Sequence, residues 1–155
     1  MSMEDYIAAR KEGIKQLHAL ESRGQDPYLP VLAELVPKLN QMAQVPLGLV
    51  QIGLDQIEGT ATKGRTTAFA RGFLPLLEQD SEFATKWSIL YDGIVEDGLR
   101  QPIVALEYYN RFYIVEGNKR VSVLKSFEAP TIRAYVTRVL PLYSDDPAVR
   151  VYYEF

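Results

Sequence analysis

No cysteine occurs among the 155 residues of this chain. Disulfides, thiolate nucleophiles and cysteine-bound zinc are thereby excluded together, and the composition suits a reducing cytoplasm. Histidine is almost as scarce. His18 stands alone, which rules out histidine-based triads and multi-histidine metal sites; it falls among charged residues in a helical stretch and reads as a surface side chain without a role. No apolar run approaches the roughly 20 residues that span a bilayer, and nothing resembles a signal peptide, so no membrane partner is expected. Strong positive charge is missing too. A formal charge of −3 and a pI near 5.2 do not give the cationic surface that sequence-independent nucleic-acid binding needs, and DNA is the less favoured partner.

What the chain does have is 47% apolar residues, enough for one domain with a proper core and a small appendage. Ile7, Ile14 and Leu17 recur near helical spacing and predict a helix over about 3–22, stopped by Gly24. Asp26-Pro27 offers a cap and first turn for a second helix carrying Leu29, Leu32, Leu35 and Val36. Residues 1–46 therefore read as a helical arm, either packed on the main domain or serving as an oligomerisation or partner surface. Residues 49–57 suit a strand and turn, followed by a polar loop over 58–67 that contains Arg65. Helices are expected over about 67–78 and 81–96, the second capped by Ser81 and turning Phe83, Trp87, Leu90 and Tyr91 inward. Strands follow at 103–106 and 111–115 around a turn at Tyr109-Asn110, then a helix from Arg120 to about Phe127 and a strand over 131–139 with Ile132, Ala134 and Val136 alternating.

The most informative stretch is the run from Tyr113 to Lys125. An alternating strand, a glycine turn, two cations and an amphipathic helix start follow one another there. Gly117 lets backbone approach a ligand, the first amides of the next helix lack intrahelical partners, and Lys119 and Arg120 carry the charge opposite to phosphate. From Arg111 to Arg138 six cations face two acids, a local excess that suits a nucleotide and is marginal for duplex DNA. Glu116, just before the turn, is a candidate general base or magnesium ligand, or simply an ion-pair partner of Lys119 or Arg120. Asp55 and Glu58 either complete that site from the first loop or are turn residues.

The order of these parts resembles the ParB N-terminal / sulfiredoxin-like superfamily, in a bacterial branch with similar N-terminal helices. The resemblance covers residues 47–141 and is carried by Gly98-Leu99-Arg100-Gln101-Pro102-Ile103 and Glu116-Gly117-Asn118-Lys119-Arg120. It implies an α+β fold: a small mixed sheet with packed helices, preceded by the arm. It also implies nucleotide binding, since the glycine motif holds CTP in ParB proteins, ATP in sulfiredoxins and ADP or ATP in a free-serine kinase. By that resemblance Gly117, Asn118, Lys119 and Arg120 form a phosphate cradle, Arg65 approaches the same ligand, and Mg²⁺ accompanies the nucleotide. Hydrolase, nuclease or phosphotransferase activity would follow from the same motif. Two departures limit the transfer. Asn118 and Lys119 stand where sulfiredoxin has its cysteine and histidine, which rejects sulfinic-acid reduction, and the paired histidines of kinase-like and nuclease-like members are absent.

The competing expectation is an inert scaffold for protein or DNA, using the helical arm and the aromatic C-terminus. Residues 142–155, with Asp145-Asp146-Pro147 before Val151, Tyr152, Tyr153 and Phe155, read as a capped helix start belonging either to a longer protein or to a homodimer contact.

Overall fold

The structure is a computed structural model that describes residues 3–64, 66–99, 101–141, 147, 150 and 151. Helix α1 (Glu4–Ser22) closes where Gly24 takes φ +69°: Gln25 N–H donates to the Leu20 carbonyl at 3.0 Å and Gly24 N–H to that of Glu21 at 3.0 Å. These two bonds satisfy carbonyls that the helix leaves open at its end. Tyr6, Ala9 and Gly13 face inward, and Tyr6 is wholly buried, its hydroxyl donating to the Leu77 carbonyl at 2.6 Å. The first helix is thus part of the core, with Tyr6 edge-on to Trp87 at 5.3 Å between ring centroids.

The second predicted helix shrinks to one turn, α2 (Leu32–Leu35). Asp26 does not cap a helix; its carboxylate accepts the Tyr28 N–H at 3.0 Å in a local turn. The chain then runs extended beside strand β2 (Ile57–Thr60), where the Pro30 carbonyl accepts the Thr60 N–H at 2.9 Å and Ala33 N–H donates to Ala61 at 3.0 Å. Sheet-edge hydrogen bonds outweigh the helical pattern of the leucines. Gly59 permits the approach, because a Cβ there would lie 2.1 Å from the Pro30 oxygen. The helix expected over 67–78 is likewise replaced, by a short 3₁₀ turn (Thr66–Ala68) and an irregular segment. Gly72 and Pro75 break it, and Phe73 is buried at φ +73°.

Strand β1 (Gln44–Gly53) begins earlier than the alternation suggests, and β2 takes up the first residues of the expected polar loop. Helix α3 (Glu82–Asp97) follows its expected course: the Ser81 hydroxyl accepts the Ala84 N–H at 3.1 Å, and Phe83, Ala84, Trp87 and Ser88 are buried. Strands β3 (Ile103–Tyr108) and β4 (Arg111–Glu116) form a hairpin whose turn residues Tyr109 and Asn110 both have positive φ, and helix α4 (Asn118–Ser126) and strand β5 (Thr131–Val139) complete the unit.

The five strands make one mixed sheet in the order β1-β5-β3-β4-β2. β5 is antiparallel to β1 and parallel to β3, β3 and β4 are antiparallel, and β2 runs parallel to β4. This is an α+β fold of the expected kind. The main core includes Ile103, Ala105, Ile114, Ala134 and Val136 of the sheet with Trp87, Val121 and Val123 of the helices. A smaller cluster joins Leu32 to Ala61 and Tyr113. Glu107 is buried within the sheet, where its carboxylate accepts from Arg138 Nε at 2.8 Å and from the Asn110 N–H at 2.6 Å; this pairing fixes the hairpin turn. His18 is exposed, as its helical position implied. No helix among the described residues is long and apolar enough to cross a membrane.

Candidate functional site

β4 ends at Glu116, and the chain turns into α4 through Gly117 at φ +116°. Only glycine suits this point, both for its backbone angle and because a Cβ would lie 2.5 Å from Cγ2 of Ile103. The first intrahelical bond runs from the Val121 N–H to the Gly117 carbonyl at 3.0 Å, and no side chain among the described residues caps the helix. The amides of Asn118, Lys119 and Arg120 precede that bond and point the positive end of the helix outward.

A cleft of about 470 Å³ opens at this end. Gly117, Asn118, Lys119, Arg120 and Gln101 line it together with the apolar Phe69, Phe83 and Leu90. Lys119 Nζ lies 5.5 Å from the centre of the Phe83 ring, a cation–π contact that holds the ammonium against the apolar wall. Arg120 is held differently. Its Nη1 donates to the carbonyls of Gln101 at 3.1 Å and Pro102 at 2.9 Å. This clamp sets the plane of the guanidinium and leaves the Nε–Nη2 edge, the side that grips two oxygens of an anion at once, without a bond to the described residues. Nε lies near Gly117, 3.3 Å from where a Cβ would stand.

Asn118 is fixed through Thr60. The Thr60 hydroxyl donates to the Ile114 carbonyl at 3.0 Å, so it can only accept from Asn118, and Asn118 Nδ2 faces it at 3.4 Å. Oδ1 of Asn118 is then left buried without a hydrogen-bond partner among the described residues, an unpaired acceptor of the kind that marks strained or functional positions.

The remaining candidates are distributed unevenly. Glu116 is exposed beside the turn, paired through its backbone with Val104. Arg65 lies outside the described residues. The loop that carries it leaves β2 at Thr60, and because β2 and β4 are parallel their C-terminal ends emerge together. Asp55 and Glu58 do not join Glu116: both act electrostatically on Lys125, near the other end of α4. No group of three or more His, Asp or Glu side chains converges in a metal-binding arrangement among the described residues. Sequence reasoning missed the apolar wall. Gln101 was visible within a motif, but nothing in the spacing of Phe69, Phe83 and Leu90 distinguishes cleft from core. The aromatic C-terminal residues Tyr152, Tyr153 and Phe155 fall outside the described residues.

A mixed five-stranded sheet with a glycine-led helix closing on it defines a ParB/sulfiredoxin-like α+β domain. Residues 80–151, from just before α3 to beyond β5, match the ParB N-terminal domain family, which supports a ParB/sulfiredoxin-like domain in this part of the chain. Among solved structures, the crystal structure of sulfiredoxin from Arabidopsis thaliana aligns with 57% of this chain and 82% of its own at 23% identity, with a TM-score of 0.40. No curated protein matches the sequence.

Proposed function

We propose that the N-terminal end of α4 seats the phosphates of a nucleotide, with CTP, ATP and ADP as the candidate ligands, in a cytoplasmic protein. The observation that carries this reading is the pairing of an uncapped helix start at Gly117 with an Arg120 guanidinium already clamped by two carbonyls. Anion recognition loses least entropy when its donors are oriented beforehand. Lys119 would exchange its contact with Phe83 for a phosphate oxygen, and Arg65 would approach from the loop after β2. Mg²⁺ fits here as a companion of the nucleotide, neutralising phosphate charge with Glu116 as the adjacent carboxylate; the described residues do not converge on a metal cage of their own. Hydrolase, nuclease or phosphotransfer activity would rest on Glu116 as base. Calorimetric titration with CTP, ATP, ADP and GTP, with and without Mg²⁺, tests the reading. Binding that weakens at least tenfold in Arg120→Lys supports it, and no binding of any of the four at millimolar concentration ends it. Turnover abolished by Glu116→Gln in a folded protein would establish the catalytic part.

A second reading, protein contact, is favoured by β1. This ten-residue strand lies at the sheet edge, carries no charged side chain, and leaves Leu47 and Leu49 exposed beside Tyr135. Uncharged sheet edges are open to pairing with another chain. Sedimentation of the wild type against Leu49→Lys distinguishes it: a concentration-dependent assembly lost in the variant supports protein contact, and a strict monomer in both opposes self-association through this edge.

A further inference from the structure

We propose that Lys125 is an imine-forming amine for small neutral aldehydes, in a site separate from the anion-binding end of α4. Lys125 lies in the last turn of that helix, eight residues beyond Gly117 and thus about 12 Å along the axis. Its Nζ is 5.2 Å from the centre of the Phe73 ring and has, among the described residues, one long hydrogen bond, 3.5 Å to the Ile57 carbonyl. An ammonium has three N–H groups to satisfy, and this one is poorly solvated by protein and partly withdrawn from water. Two clefts open onto it. One, of about 410 Å³, is lined by Asp5, Glu12, Leu74, Tyr91, Ser126 and Glu128 among others; the other, of about 200 Å³, by Leu54, Asp55, Glu128 and Ala129.

The charged and titratable groups around Lys125 come from every neighbouring element: Asp5 and Glu12 from α1, Tyr91 from α3, Asp55 and Glu58 from the turn and strand before the loop, and Glu128 after α4. Burial lowers the pKa of Lys125, while Glu58 and Asp55 act to raise it; burial prevails. A larger fraction of neutral amine is therefore present near neutral pH than on an exposed lysine, and neutral amine is the nucleophile.

The surroundings also select the electrophile. The amine lone pair forms a bond to a carbonyl carbon, the carbonyl oxygen takes up two protons and leaves as water, and the nitrogen ends as an iminium. Counted from the ammonium, the balance is ammonium plus aldehyde to iminium plus water, with no other reagent. The product keeps its positive charge, so the Phe73 face and the carboxylates continue to stabilise it. Acylation would remove that charge and forfeit both interactions. An anionic carbonyl compound would meet Asp5, Glu12, Asp55 and Glu128 on the way in.

Competitive labelling of the whole protein with propanal and cyanoborohydride, read by peptide mass spectrometry, tests the proposal. Lys125 is expected to be alkylated at least fivefold faster than the exposed Lys11 and Lys38, with its rate rising at a lower pH than theirs, and the preference should disappear when the anion glyoxylate replaces propanal. Labelling of Lys125 no faster than Lys11 and Lys38, or a preference equally strong with glyoxylate, would overturn it. Failure here leaves the phosphate reading untouched, because the two ends of α4 are probed by different reagents.

Discussion

The indole of Trp87 donates through Nε1 to the hydroxyl of Ser122 at 2.9 Å, and both side chains are fully buried. One hydrogen bond therefore ties α3 to α4 beneath the turn at Gly117. In Ser122→Ala the indole N–H stays buried without a partner, which costs about 1–3 kcal/mol. Urea unfolding followed by fluorescence of this single tryptophan measures the loss directly. A variant as stable as the wild type would mean that the bond does not couple the helices.

Gly117→Ala places a methyl group against Ile103 in a backbone conformation that side chains resist. A loss of roughly 2–3 kcal/mol is expected, together with weakened nucleotide binding if the phosphate reading holds. Gly64→Ala, in open space and without positive φ, should change stability by less than about 0.5 kcal/mol. Equal thermal shifts in the two variants would contradict the account of the turn.

Asn118→Ala removes a buried acceptor that has no partner among the described residues and leaves Thr60 still bonded to the Ile114 carbonyl. The substitution is expected to preserve stability within about 0.5 kcal/mol, or to raise it, since alanine is also the better helix former. Any fall in ligand affinity would then report on the site and not on folding. A calorimetric scan showing a Tm lowered by more than 4 °C would refute the geometry given for Asn118.

Burial raises the phenol of Tyr6 to about 12, from an ordinary value near 10. The folded state therefore keeps this proton when the unfolded chain has already released it. Below pH 10 the group adds no pH dependence, and between pH 10 and 12 unfolding releases a proton, so stability falls as pH rises. Denaturant unfolding at pH 9, 10 and 11 should show that decline, and Tyr6→Phe should flatten it while losing the bond to the Leu77 carbonyl. Parallel curves for the two proteins would count against the buried phenol as the cause.

Much of the second half of the chain was legible. Alternation fixed β5 to its observed ends, Ser81 announced α3, and Gly117 marked the strand-to-helix turn. These signals are local: a cap, a period of two, a backbone angle open only to glycine. The region from Asp26 to Gln41 was not legible, because Leu29, Leu32 and Leu35 repeat at spacings that a helix would use, whereas the free hydrogen-bonding edge of β2 pulls the backbone into an extended course. Residues 67–78 failed for a related reason, since the inward turn at Phe73 is stabilised by burial that no local pattern records.

The sequence by itself determined the chemistry on offer: no thiol, one histidine, and a glycine followed by a lysine and an arginine at a helix start. It could not determine how those groups are held. The Arg120 guanidinium is oriented by carbonyls of Gln101 and Pro102 at the start of β3, Asn118 is turned by a hydroxyl on β2, and Lys119 rests on a ring from α3. Each partner is far from the motif along the chain. Only the closing of the sheet and helices around a common core brings them within hydrogen-bonding or ring-contact distance, which is why the composition of the site is a property of the sequence and its geometry a property of the fold.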